Sequence, residues 1–250
     1  RAPVDNDFGA WNPAKRPADS VYFNWRKAAK VYQSVKMTTT KTDEAIAFIY
    51  EFYHPVIKSK NTIIYTVDLF GNLSIDTKLT PEKPSELKYM PRYGMRLVLD
   101  SSFSTVEYFG RGPFENYNDR NTAAHVGRYE SKVADFYVPY IRPQENGYRT
   151  DVRELVLANA VNEQISIIAD ELLSFSAHHF PLEDLDPGNA KTQTHTIDVK
   201  PKGKTWLHID YMQMGVGGDD SWSKNGLANE EYRIKPENCA FGFTLQFVNQ

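Results

Sequence analysis

The stretch Thr62-Ile63-Ile64-Tyr65-Thr66-Val67-Asp68-Leu69-Phe70-Gly71-Asn72-Leu73-Ser74-Ile75-Asp76-Thr77-Lys78-Leu79 reads as two extended runs around a turn. β-Branched and aromatic residues crowd both arms, and such side chains suit a pleated, half-buried surface. Gly71-Asn72 predicts a tight hairpin turn. Leu73, Ile75, Thr77 and Leu79 alternate at the period of a strand with one buried face. The same alternation returns late in the chain at Phe241, Phe243, Leu245 and Phe247. Further extended runs are expected over 45–52, 95–99, 104–109, 165–169, 195–199 and 206–212, with 95–99 and 104–109 forming another pair. Residues 21–30, with Trp25 and basic neighbours, predict a short helical turn, 1–20 predict loop, and 110–150 read as turn-rich and polar with aromatics interspersed. Helix is expected to stay below about a fifth of the chain. Many short strands with Gly, Pro and Asn turns predict an all-β fold, a large antiparallel sandwich, as one unit over 1–250.

A chain of 250 residues can bury a sizeable core without staples. Lys+Arg is 29 and Asp+Glu is 32, a net charge of −3, so there is no electrostatic reason to seek nucleic acid or an anionic membrane. The single cysteine, Cys239, excludes an internal disulfide and a cysteine-based zinc site. No run approaches 18 apolar residues, so no transmembrane helix is expected, and no signal peptide is expected within these residues. The chain begins Arg1-Ala2-Pro3 without an initiator Met and reads as a piece of a longer one, leaving cytoplasm or periplasm open.

Several short motifs fail on spacing. Gly203-Lys204-Thr205 would need a glycine where Asp198 stands, and Gly110-Arg111-Gly112 would need one at Glu115. Asp5-Asn6-Asp7-Phe8-Gly9 has the wrong spacing for a calcium loop. Asn72-Leu73-Ser74 is a glycosylation sequon, which matters only in a secretory setting. His178-His179 has no third ligand at metal spacing.

Four segments carry dense polar and aromatic detail: Arg1-Ala2-Pro3-Val4-Asp5-Asn6-Asp7-Phe8-Gly9; Gly110-Arg111-Gly112-Pro113-Phe114-Glu115-Asn116-Tyr117-Asn118-Asp119-Arg120; Tyr140 to Arg149, continuing to Arg153-Glu154; and Met214-Gly215-Val216-Gly217-Gly218-Asp219-Asp220-Ser221-Trp222-Ser223. In order and together, they resemble the C-terminal, small-chain domain of the large β-galactosidases of glycoside hydrolase family two. The resemblance spans nearly the whole chain. It implies a large antiparallel β-supersandwich, galactose mutarotase-like. It further implies hydrolysis of terminal β-D-galactosides by the full-length protein, with an upstream TIM-barrel domain of the same chain as partner. A retaining glycosidase needs two carboxylates about 5 Å apart. In this family both belong to that barrel, so the resemblance implies no catalytic residue here and an inactive fragment. Starting at Arg1 is expected to cost the fold an edge strand. No cofactor is implied for this domain; full-length relatives can use Mg or Na ions in other domains. A homo-oligomer is compatible with the resemblance.

Glycines such as Gly217-Gly218 permit backbone turns that other residues resist. Asp219 and Asp220 can hold such a turn through side-chain to backbone bonds, leaving Trp222 at a loop tip. The family's matching tryptophan reaches the sugar site, which implies substrate binding by Trp222. Asp5, Asn6 and Asp7 would brace a gating loop hinged at Gly9, with residues 9–20 the most mobile internal loop. Ordinary turn capping accounts equally for those three residues. Glu115, Asp119, Arg120, Glu145, Arg149, Arg153 and Glu154 read better as structural ion pairs and hydrogen bonds than as acid/base pairs. Tyr137, Tyr140 and Tyr148 are expected to pack around them. The competing functions are a stand-alone carbohydrate-binding module, a structural or oligomerisation domain, and an aldose epimerase-type enzyme. The epimerase needs a His–Glu pair that His125, His178, His179, His195 and His208 do not declare.

Overall fold

A computed structural model describes residues 1–8, 19–186 and 194–248. Thirteen strands form two antiparallel sheets among these residues. In chain order they are β1 (Gln33–Lys41), β2 (Ala45–His54), β3 (Ser59–Asp68), β4 (Leu73–Pro81), β5 (Arg92–Asp100), β6 (Thr105–Gly112), β7 (His125–Lys132), β8 (Arg149–Val152), β9 (Glu154–Ala158), β10 (Gln164–Ala169), β11 (Leu173–His178), β12 (Lys204–Gln213) and β13 (Cys239–Val248). The larger sheet has nine strands in the order β1-β2-β3-β4-β13-β10-β9-β6-β7, and the smaller has four, β5-β12-β11-β8.

The 62–79 hairpin is present as β3 and β4. Its loop, Leu69–Asn72, is held by the Asp68 carboxylate, which accepts the Phe70 and Asn72 amides at 2.8 and 2.9 Å. The expected alternation sets the core: Ile75 and Leu79 of β4 and Phe241, Phe243 and Leu245 of β13 are buried, whereas Phe247 emerges at the strand end. Against them the smaller sheet turns Leu173, Phe175, Ala177, Leu207 and Ile209, all wholly buried. Tyr93 of β5 bridges the layers by donating its hydroxyl to Thr77 Oγ1 at 2.9 Å. One α-helix, α1 (Asp19–Ala28), carries Arg26 and Lys27 in its last turn, where cations suit the helix dipole. Its Trp25 indole donates to the Tyr89 carbonyl at 2.8 Å.

Two sequence expectations are corrected. Residues 195–199 form no strand: Asp198 closes a 3₁₀ turn (Thr196–Asp198) by accepting the His195 amide, and this local bond outcompetes the β-branched propensity. The 95–99 and 104–109 runs do not pair. The first lies in β5 and pairs with β12, whereas the second lies in β6, between β7 and β9. The region 110–150, read as turn-rich, also contains a strand, β7. The expected mobility of residues 9–20 falls mainly on residues outside those described.

Phe175 packs edge-on to Tyr108 with ring centroids 5.2 Å apart and beside Phe136 at 5.5 Å. Phe175→Ala should therefore cost about 3–5 kcal/mol through lost transfer energy and a cavity. Urea denaturation checks this; a loss below about 1 kcal/mol would contradict the packing.

Candidate functional site

The four polar segments are separate in the chain and are joined to one another by hydrogen bonds in the fold. The first is folded on itself: Arg1 grips Asp7 at 2.7 and 2.9 Å, and Asp7 also accepts the Val4 amide at 2.7 Å. Both side chains are sealed from solvent, so each charge needs the other. Asp5 is exposed and pairs with Arg142 at 2.9 Å. Asn6 donates to the Val216 carbonyl at 3.4 Å, joining the first segment to the fourth. The first segment is thus tied to the third and the fourth, whereas Gly9 lies outside the described residues.

The second and third segments are knit by Glu115 and Asn116. Glu115 accepts Arg120 at 2.6 Å, the Gly147 amide at 2.8 Å and the Tyr140 hydroxyl. Gly147 has φ +75°, and a Cβ there would lie 2.5 Å from the Phe136 carbonyl oxygen, so only glycine fits. The buried Asn116 accepts the Thr150 amide and hydroxyl and donates to the Arg111 and Phe114 carbonyls. Glu145 turns away from Arg149: one oxygen accepts the Ala2 amide at 2.7 Å, and the other lies 3.9 Å from Arg92. Arg149 instead donates to three backbone carbonyls and the Tyr108 hydroxyl. Glu154 pairs with Arg128 on the surface. Tyr148 stacks on Tyr117 at 5.6 Å, and Tyr137 meets Phe180 at 5.1 Å. The structural reading of these charges therefore fits their geometry, with partners that the sequence did not name.

The fourth segment is a closed loop leaving β12. Gly217 and Gly218 are not in the left-handed region, which corrects the reason given for them. Gly218 is needed for space: a Cβ there would sit 2.1 Å from the Asn225 carbonyl oxygen and 2.3 Å from that of Leu227. The Asp219 amide donates to the Asn225 carbonyl at 2.9 Å, and Asn229 donates to the Asp219 carboxylate at 3.2 Å. Asp220 accepts the Trp222 and Ser223 amides at 3.1 and 2.8 Å and the Ser223 hydroxyl at 2.6 Å. The Ser223 bonds hold the Asp220 carboxyl below its usual range. Trp222 stands beyond this turn, 66% exposed. A large indole held out of the core by a rigid turn offers a flat apolar face at low entropic cost.

A second feature was not legible in the sequence. A cleft of about 680 Å³ is lined by Trp25, His54, Asn61, Arg92, His208 and Asp210, among others. Its Asp210 carboxylate is committed to Arg92 within the cleft itself. Asp210 takes both Nε and Nη2 of Arg92, at 2.6 and 2.5 Å, and burial beside Arg92 drives His208 well below the ordinary histidine range. Among the described residues no three His, Cys, Asp or Glu side chains are grouped to hold a metal ion. No described helix is long and apolar enough to cross a membrane.

Two antiparallel sheets joined by interlocked polar loops define an all-β sandwich. The chain belongs to the β-galactosidase small-chain family, whose sequence model, described as "Beta galactosidase small chain", matches residues 1–245. Among its relatives, the β-galactosidase of Vibrio cholerae is 29% identical over 251 residues, covering 98% of this chain and 23% of the relative. That of Oenococcus oeni is 32% identical over 253 residues, covering 96% and 23%. The chain thus spans about a quarter of the length of the curated relatives it matches. Among solved structures, the α-galactosidase AgaA of Geobacillus stearothermophilus aligns with a TM-score of 0.44 at 7% identity, covering 88% of this chain and 28% of that one. An aldose epimerase homologue from C. elegans aligns with 0.42 at 11% identity, covering 86% and 69%.

The third segment also carries a pH signature. His178 meets Asn146 Oδ1 at 3.1 Å, and burial, reinforced by the charges of Arg92 and Arg149, pulls its imidazolium down to about 3. The folded value lies below the unfolded one of about 6.5. Its contribution is therefore complete above about pH 6.5 and is lost as pH falls towards 3. His178→Gln should flatten the decline in stability between about pH 6.5 and 5.5, by up to about 1 kcal/mol per pH unit. Urea midpoints across that interval test this, and parallel declines in the two proteins would contradict it.

Proposed function

We propose that this chain serves as the small-chain portion of a β-galactosidase that hydrolyses terminal β-D-galactosides. Trp222 contributes an aromatic face to the sugar site, and the Asp5-Asn6-Asp7 segment braces the loop that starts at Gly9. The observation that carries the reading is Trp222 itself, exposed on a turn held by local bonds to Asp220 and Ser223. Family membership supports it, as does the fourfold greater length of relatives named β-galactosidase.

In this reading the catalytic carboxylates come from a TIM barrel elsewhere in the same polypeptide. A retaining mechanism needs a nucleophile and an acid/base about 5 Å apart across the scissile bond. The acidic residues that meet in the four segments, Asp7, Glu115, Glu145 and Asp220, are each engaged in bracing this chain. Any Mg or Na ion of the enzyme is assigned to those other domains.

Two measurements test this reading. The purified chain should show background turnover of a nitrophenyl β-galactoside; turnover abolished by replacing one of its own carboxylates would contradict it. In the complete polypeptide, Trp222→Ala should remove about 1–3 kcal/mol of stacking. The loss should appear as a raised KM at nearly constant kcat, because stacking acts on ground and transition states alike. Unchanged constants would reject the assignment.

A further inference from the structure

We propose that Asp119 is the positioning residue that aims the Trp222 loop, a role that deepens the sugar-site reading of Trp222 and rests on it for its effect on catalysis. By sequence Asp119 belongs with the ion-pairing charges of the second segment, yet among the described residues no ion pair involves it. One of its carboxylate oxygens is spent on backbone instead, while the other, Oδ1, is buried with no hydrogen-bond partner among the described residues. Oδ2 accepts the amides of both Val216 and Gly217, each at 2.8 Å. Two donors on one carboxylate oxygen form a charge-assisted pair, stronger than ordinary amide bonds. Room for it comes from Gly215, where a Cβ would lie 2.6–3.0 Å from the Asp119 carboxylate carbon, Oδ2 and Cβ. Any side chain at 215 would push the carboxylate off the amides.

The opposite edge of the same stretch is held by donors. Arg1 Nη2 reaches the Gly215 carbonyl at 3.2 Å, and Asn6 Nδ2 reaches that of Val216 at 3.4 Å. The Val216 and Gly217 amides are therefore gripped by Asp119, the Gly215 amide donates to the Tyr232 carbonyl at 2.9 Å, and the Gly215 and Val216 carbonyls are held by the first segment. Beyond them the chain passes Gly218 and enters the Asp220 turn, which is rigid in itself. The 215–217 stretch thus sets the direction in which the chain enters the Trp222 turn, alongside the Asp219 contacts to Asn225 and Asn229, and Asp119 supplies the shortest bonds in that stretch. Asp119 is only half-buried and lies outside every strand, so its loss should redirect the loop rather than unfold the sandwich.

The test uses the complete polypeptide carrying 5-fluorotryptophan, with the Trp222 resonance assigned by Trp222→Phe. Asp119→Ala should shift or broaden the Trp222 ¹⁹F signal. It should also raise KM for a nitrophenyl β-galactoside about fivefold or more, with kcat within about twofold. Asp119→Asn keeps an oxygen for the same two amides and should recover most of the loss in both readouts. Asp119→Ala combined with Trp222→Ala should raise KM no further than Trp222→Ala alone, because Asp119 acts through the indole. A Trp222 signal untouched by Asp119→Ala overturns the proposal, whatever the kinetics. So does a KM effect of Asp119→Ala that adds fully to that of Trp222→Ala. If Trp222→Ala leaves KM unchanged, the sugar-site reading falls, and the ¹⁹F signal still decides whether Asp119 aims the loop.

Discussion

Arg92 is a cation almost withdrawn from water, and the architecture of the loop end is organised around meeting its charge. Asp210 on β12 meets it at 2.5 Å, and Glu145 of the third segment lies 3.9 Å away. The approach of Asp210 leaves no space above β5: a Cβ at Gly94 would fall 2.1 Å from its carboxylate oxygen. Glu145 uses its other oxygen on the Ala2 amide, so the same charge that closes the β5–β12 contact also anchors the first segment. Removing one partner of such a buried set typically costs about 3–5 kcal/mol, because the remaining charge has nowhere to go. The first segment in turn supplies Asn6 and Arg1 to the stretch below Trp222. A chain of buried polar contacts therefore runs from Arg92 to the stretch below the exposed indole.

The sheet was legible where one face is buried and the other is not. The alternation in β4 and β13 places Ile75, Leu79, Phe241, Phe243 and Leu245 in the core as expected. It fails at both extremes. Every residue of β11 is buried, so no period of two survives in its sequence, whereas eight of the nine positions of β1 are exposed and it offers no apolar stripe. Pairing partners are a further step removed. β5 and β6 are neighbours in the chain, yet they belong to different sheets, and a local pattern carries no record of which layer a strand joins.

The site divides the same way. The Asp220 turn was readable because its bonds span two or three residues, a distance at which residue type alone sets the chemistry. Its glycines matter for a different physical reason from the one their type suggests: space, not a left-handed backbone, is what Gly218 provides. The contacts that orient the loop span 97 and 98 residues in the case of Asp119 and 210 in the case of Asn6, and nothing in the local sequence marks Arg92. Such residues look like ordinary surface charges until the fold brings their partners to them.

If the indole is the part of this chain that meets the sugar, its position relative to a bound galactoside is the decisive quantity. A crystal structure of the complete polypeptide with a galactoside bound measures it directly. The account predicts the Trp222 ring within about 4 Å of the ligand, its face towards an apolar sugar face, with the Asp220 turn unchanged. A ligand bound with Trp222 well beyond contact distance, or an indole buried against another domain without reaching the sugar, would contradict it.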